Sequence, residues 1–385
     1  MIFFLLLGCL LALNYCIIYN NFFYGFGIGM VNVLSVEVLS ELIRKHSLSQ
    51  YFLDLIHTLR GDFSRWHEFD KVPRPAFHVP GGVIELMPIA DKEYFSYKYV
   101  NGHPGNPSDN NKQTVVATGQ LSKVSDGYPL FISEMTTLTA LRTAATSALA
   151  SDLLARKDAK TIAMIGTGAQ SDFQILAHCL VRDIDTVRYH DIDANAMIRF
   201  YGNMHGYDFK LEACESNEEA VKDADIIIVC TACKNHVDVI KEEWVKPGVH
   251  INGLGGDCPG KTEIEKSLLP KAKVVVEYFE QSFIEGEIQR FSEKEAKDIV
   301  YAELWELITN QKAGRENDEE ITLFDSVGFA IEDFSVLKMT YELCEKYQMG
   351  RVMNMIPPLN NPKNLFSVLR LSSDSSMESP FFSNK

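Results

Sequence analysis

The sequence predicts an α/β fold in two parts, and two textures along the chain predict it. From Thr161 onward, short apolar runs alternate with helical stretches. Thr161 to Ile165, Thr186 to His190, Asp208 to Ala213, Asp225 to Cys230, Val249 to Leu254 and Lys273 to Glu277 read as strands, and Ala169 to Val181 as a helix. Strands separated by helices imply a parallel sheet covered by those helices. Before Thr161 the strands follow one another. Val83 to Met87, Tyr94 to Val100, Gln113 to Val124 and Pro129 to Ser133 are strand-like, and Asp126-Gly127 is a hairpin signal between the last two. Two helical regions flank them. Leu39, Leu42 and Ile43, then Phe52, Leu55, Ile56 and Leu59, recur at helical spacing within Ser35 to Phe69. Thr137 to Ala155 is dense in Ala and Leu, which favours a long helix.

With 385 residues, 46% of them hydrophobic, the chain can bury a sizeable core and fill two domains. The net charge of -15 argues against a nucleic-acid binder, which needs a basic face to meet phosphates. Eight cysteines are scattered, with a single CxxC at Cys230 and Cys233 closing the apolar run from Ile226. That spacing gives no zinc ribbon, so no metal site is expected, and buried thiols in a reducing compartment are favoured over a redox pair. Met1 to Met30 carries no charge and opens on Phe3-Phe4-Leu5-Leu6-Leu7. Its length could span a bilayer, but it lacks a basic n-region and holds Asn14, Asn20 and Asn21. Three readings stand: a start assigned upstream of the true one at Met30, a membrane anchor, or a degenerate signal. Val31-Asn32-Val33-Leu34 looks like the beginning of the globular fold, and the Ser-rich stretch Ser372 to Lys385 reads as a disordered tail.

Two glycine-rich loops carry chemistry. Ala163 to Ser171 reads as strand, Gly166-Thr167-Gly168 turn, then helix. Gly166 permits the tight turn, Gly168 lets a pyrophosphate approach the backbone, and the helix N-terminus offers N–H groups to the phosphates. Asp191 ends the next strand about 20 residues on, where ribose hydroxyls sit in a Rossmann domain, and an acid there favours NAD over NADP. The second loop, Gly255 to Thr262, fits the P-loop pattern. Its interior speaks against phosphate, because Pro259 has no N–H to donate and Asp257 places a carboxylate where phosphate charge would lie. Asp257 is instead expected to be a catalytic carboxylate at the C-terminal end of its strand.

Several stretches together resemble the ornithine cyclodeaminase/mu-crystallin family. They are Val83 to Pro88, Lys98 to Pro104, Ala140 to Ser147, Gly166 to Ser171, Gly255 to Glu263, Ile284 to Gln289 and Phe324 to Ala330. The resemblance runs from about Val31 to about Arg370. It implies a Rossmann NAD-binding domain over residues 151–324 and an α+β substrate-binding and dimerisation domain over residues 31–150 plus about 325–370. Residues 1–30 are left as an apolar extension and 371–385 as a tail. It further implies a cytoplasmic homodimer, with the membrane involved only if residues 1–29 are a genuine anchor. The acid-bearing Gly255 to Glu263 segment resembles the cyclodeaminase members, which convert L-ornithine to L-proline and ammonia. The family also holds ketimine reductases, alanine dehydrogenases and non-enzymatic binding proteins, and these remain the alternatives. Residue by residue, Arg74, Lys98 and Arg142 match the substrate carboxylate clamp, and Glu85 and Asp257 match acids facing the substrate amines. Thr114, Gly168, Ala169, Gln170, Asp191, Lys261 and Ser326 match cofactor contacts.

The chemistry stands beside that resemblance. A bidentate arginine with a second cation suits a carboxylate, and a carboxylate is the natural partner for an amine that must lose a proton before it attacks. Each residue also has a plainer reading. Arg142 could be a structural ion pair, Lys98 could snorkel to the surface, Glu85 could be a paired core acid, and Asp257 could cap a following helix.

Overall fold

The computed structural model describes residues 29–231, 236–256 and 258–369. The readings of the apolar N-terminal segment before Gly29, the Ser-rich tail, Cys233 and Asp257 lie outside the described residues. Among the described residues no helix is long and apolar enough to cross a membrane.

Two eight-stranded sheets organise the chain. The first runs, edge to edge, Arg351–Asn354, Met30–Leu34, Pro129–Glu134, Val115–Lys123, Tyr94–Gly102, Gly82–Ala90 and Asp70–Lys71, with Ala76–Val79 also pairing to Gly82–Ala90. All its pairings are antiparallel except that of Met30–Leu34 with Pro129–Glu134. Met30 does begin the first strand, with Val31 fully buried. The two-residue period of strands decides what faces inward. In Gly82–Ala90 the buried positions are Glu85, Met87 and Ile89, and in Tyr94–Gly102 they are Ser96, Lys98 and Val100. Glu85 lies opposite Val100 and Met87 opposite Lys98, so Glu85 and Lys98 share one face.

Two helices, Thr136–Leu154 and Ala330–Tyr347, cover that face, and a third, Leu48–Ser64, packs against both of them. Leu48–Ser64 buries Tyr51, Phe52, Leu55, Ile56, Leu59 and Phe63, the expected helical stripe. Thr136–Leu154 brings Arg142 inward. Ala330–Tyr347 has no periodic signal because every residue from Ala330 to Leu337 is buried, which removes the polar face that a helical pattern needs. Gly119 permits its close approach: a Cβ there would sit 2.8 Å from the Met135 sulfur and 3.1 Å from Leu337.

The second sheet is wholly parallel, in the order Lys210–Ala213, Thr186–His190, Thr161–Ile165, Ile226–Val229, His250–Gly253, Thr322–Asp325, Lys273–Val276, Val300–Glu303. This is the doubly wound arrangement, and its strand order reverses between Thr161–Ile165 and Ile226–Val229. Thr161–Ile165 and Thr186–His190 coincide with the expected strands, and the expected helix is shorter, Ser171–His178. A buried polar cluster fixes the Arg142-bearing helix to this sheet. Ser151 Oγ meets His178 Nε2 at 2.9 Å and accepts from Asn252 Nδ2 at 2.9 Å. Burial pushes the His178 imidazole down to about 4, so it is neutral there.

Candidate active site

The C-terminal ends of the second sheet's central strands face the buried side of the first. Between them lies a cavity of about 500 Å3. The switch point of an open α/β sheet is where ligands bind. One wall carries Arg74, Glu85, Lys98, Thr114 and Arg142, and the other carries Gly168, Ala169, Gln170, Lys261 and Ser326. The apolar lining comes from Val83, Val100, Leu254 and Val327.

Each cation of the first wall is held by carboxylates. Lys98 is 1% exposed, which removes the snorkelling reading, and its Nζ donates to Asp333 Oδ1 at 2.9 Å. Burial, then the nearby Arg142 charge, lowers its ammonium to about 8. Arg142 pairs through Nη1 with Glu332, and its Nε lies 3.1 Å from Asp333 Oδ1. Arg74 has its Nε 3.1 Å from Glu85 Oε1, pairs through Nη2 with Glu285, and donates from Nη1 to the Val327 carbonyl at 3.2 Å. The ion-pair readings of Arg142 and Glu85 are therefore correct as geometry, yet both residues also face the cavity. Four carboxylates (Glu85, Glu285, Glu332 and Asp333) surround three cations (Arg74, Lys98 and Arg142).

The glycine turn is built as its composition demands. Gly166 has φ 89°, and a Cβ there would lie 2.7 Å from the Cys230 carbonyl oxygen. Gly168 is different: nothing lies within 4 Å of its would-be Cβ, so the backbone is open on the cavity side. Asp191 and Gly166 do not line the cavity; they shape the turn beside it. Asp191 Oδ2 accepts from the Thr167 N–H at 2.6 Å, and its Oδ1 accepts from Asp193 N at 2.9 Å.

The second glycine loop folds against the P-loop reading. The residues after it, Thr262–Ile264, form a strand, whereas a phosphate-binding loop leads into a helix. The Gly260 N–H is engaged by Gln289 Oε1 at 2.6 Å. No helix occurs among residues 258–264, which follow Asp257. Its neighbours Cys258 and Pro259 line the cavity. Beneath the loop are buried acids: Glu287 accepts from Glu263 N at 2.8 Å and Ile264 N at 3.1 Å, and Asp325 accepts from Glu287 N at 2.9 Å. Burial, then the Asp325 charge, raises Glu287 to about 8, and burial raises Asp325 to about 7.

Sequence reasoning missed Glu285, Glu332 and Asp333, which hold these cations, and Glu277, which holds the Ser326 to Gly328 segment beside them. The available signal was the pair Glu332-Asp333 in the first turn of a helix otherwise buried among apolar residues, where unpaired acids are not tolerated.

The comparisons with known proteins agree with this architecture. An ornithine cyclodeaminase of Agrobacterium fabrum is 46% identical over 342 residues, covering 89% of this chain and 95% of that protein. Among solved structures, an archaeal alanine dehydrogenase dimer with bound NAD is 33% identical with a TM-score of 0.78, covering 85% of this chain and all of that one. A lysine cyclodeaminase, solved for its recognition of L-lysine, L-ornithine and L-2,4-diaminobutyric acid, is 27% identical with a TM-score of 0.82, covering 87% and 98%. The family model for the ornithine cyclodeaminase/mu-crystallin proteins matches residues 38–348, and the chain belongs to that family.

Proposed function

We propose that this chain is an NAD-using ornithine cyclodeaminase that converts L-ornithine to L-proline with release of ammonia. The observation that carries the reading is one cavity in which three carboxylate-held cations face an open glycine cradle. Glu85 lines the cavity beside its cations, and a carboxylate there suits the amines of a diamino acid while the cations suit its single carboxylate. The 46% identity to the Agrobacterium enzyme points the same way.

The residues present fit a dinucleotide. The space beside Gly168 admits a pyrophosphate against the backbone, and among the described residues no protein acceptor takes the N–H groups of Gly168, Ala169 or Gln170. Thr114, Gly168, Ala169, Gln170, Lys261 and Ser326 would hold NAD, with Gly166 and Asp191 shaping the turn. When bound, NAD supplies reversible hydride acceptance, so the net reaction consumes no redox equivalent.

Arg142, Lys98 and Arg74 receive the α-carboxylate in this account. Lys98 keeps its proton on Nζ near neutral pH because its lowered value is still about 8. Glu85 faces the substrate amines from beside Arg74. Asp257 takes a proton from the δ-ammonium so that the free amine can attack the activated α-carbon, after which ammonia leaves from that carbon. Val83, Val100, Leu254 and Val327 keep water from the reacting centre.

The reading assigns the first sheet and its helices, residues 31–150 plus about 325–370, to substrate binding and dimerisation, and residues 151–324 to the cofactor. Leu86, Phe95, Tyr99 and Val116 are exposed on the outer face of the first sheet, where a homodimer would cover them. Cys179, Cys214 and Cys344 are free thiols, as a cytoplasmic protein would have. α-Deuterated L-ornithine tests the reaction. Deuterium should be recovered at the α-carbon of proline; deuterium accumulating in the reduced cofactor would instead make the chain a net dehydrogenase.

A further inference from the structure

Glu277 is a buried acid that neither glycine motif contains. It follows the strand Lys273–Val276, whose end lies beside that of Thr322–Asp325, with Val276 opposite Asp325. The next residue along each strand is therefore Glu277 on one and Ser326 on the other. Glu277 has no solvent exposure. Its Oε1 accepts from Ser326 Oγ at 2.5 Å, and its Oε2 accepts from the N–H groups of Val327 and Gly328, each at 2.9 Å. One carboxyl group thus pins three consecutive residues.

Those residues in turn place the cavity's arginines. The Val327 carbonyl accepts from Arg74 Nη1 at 3.2 Å. Gly328 adopts φ 77° and lies against the Arg142 guanidinium, so closely that a Cβ on it would be 2.7 Å from Nη1 and 2.9 Å from Nη2. Immediately beyond, Glu332 pairs with Arg142, and Asp333 meets both Arg142 and Lys98. The segment from Ser326 to Asp333 is a template onto which all three cations are set, and Glu277 anchors its first three residues.

We propose that Glu277 is the positioning residue of the carboxylate clamp, fixing the Ser326-Val327-Gly328 segment so that Arg74 and Arg142 converge on the substrate. The inference rests on the reading of those arginines as the clamp. Burial and the neighbouring Glu332 charge hold the Glu277 carboxyl well above the usual carboxylate range. Glutamine is then a faithful replacement: its carbonyl accepts both backbone N–H groups while its amide donates to Ser326 Oγ. Aspartate is one methylene too short to reach all three donors from the same backbone position.

The experiment compares Glu277→Gln and Glu277→Asp in the full chain, measuring proline formation against ornithine concentration at saturating NAD+, with NAD+ affinity and thermal melting alongside. Displacing a substrate-holding group by about an ångström costs on the order of 100-fold. Glu277→Asp should therefore raise the ornithine KM by about 10- to 100-fold with a smaller change in kcat, and Glu277→Gln should stay within about threefold of the parent. A Glu277→Asp protein that melts normally with an unmoved KM overturns the proposal. So does a Glu277→Gln protein as impaired as Glu277→Asp, or a loss confined to NAD+ affinity. If Glu277→Asp does not fold, the Glu277→Gln comparison alone decides: a raised ornithine KM in that folded protein refutes the positioning role, and a KM near the parent's sustains it. Arg142→Lys in the same assay separates the two layers, since an unmoved KM there removes the clamp itself rather than its support.

Discussion

Gly328→Ala perturbs the clamp without removing any charge. Two terms follow from the structure. The residue sits at φ 77°, in the left-handed region, where an alanine costs about 1–2 kcal/mol of folding stability. The new methyl would also lie 2.7 Å from Arg142 Nη1, well inside contact distance, so one of the two must move. The guanidinium is the flexible partner, but Glu332 holds its Nη1 and Asp333 lies against its Nε, so shifting it strains both pairs. A displacement approaching an ångström in a substrate-holding group is worth up to about 100-fold. The expected variant is folded, less stable by about 1–2 kcal/mol in urea melting, and raised about 10- to 100-fold in ornithine KM. NAD+ affinity should change little, because the Gly166 to Ser171 turn is on the opposite wall. An ornithine KM equal to the parent's in a protein with the expected stability loss would refute the idea that Arg142 holds the carboxylate.

Four further outcomes can be measured. Gly168→Ala adds a methyl where nothing lies within 4 Å, so stability should stay within about 0.5 kcal/mol while NAD+ affinity, read by fluorescence titration, falls. Asp191→Ser should narrow the preference for NAD+ over NADP+, and equal affinities in the parent would already remove Asp191 from cofactor selection. Lys98 is cationic below about 8 and neutral above it, so inhibition by L-proline should weaken as pH rises through that value; a flat profile on both sides contradicts a carboxylate-binding lysine. Asp257→Asn should lower proline formation by about two to four orders of magnitude and leave NAD+ binding intact.

The parallel-sheet half was more legible in the sequence than the support of the three cations on the other half. Strands Thr161–Ile165 and Thr186–His190 announce themselves because a buried parallel strand is a short apolar run, and the Gly166 turn has few alternatives that fit φ 89°. Arg74, Lys98 and Arg142 could be named through a resemblance, yet of what holds them only Glu85 could. The other partners are distant in the chain, as with Arg142 and Glu332 at a separation of 190 residues and Lys98 and Asp333 at 235. No local pattern encodes a contact of that span. Helix Ala330–Tyr347 escaped notice for a related reason: it is buried over its first half on every side and so loses the 3.6-residue polarity that marks a surface helix. Short strands such as Thr262–Ile264 and Val300–Glu303 carry too few residues for alternation to show. At Gly255 to Thr262 the sequence pattern pointed to phosphate while the loop's own chemistry pointed away, and the strand that follows sides with the chemistry.

The central claim is that the redox step is internal, and its most direct measurement is a stoichiometry. The full chain is incubated with L-ornithine and NAD+ at a small fraction of the substrate concentration, and proline, ammonia and reduced cofactor are followed together. The account predicts proline and ammonia in equal amounts, many turnovers per NAD+, and no accumulation of NADH. Product formation that stops when NAD+ is exhausted, with NADH appearing one for one, would contradict it and make the chain a net amino-acid dehydrogenase.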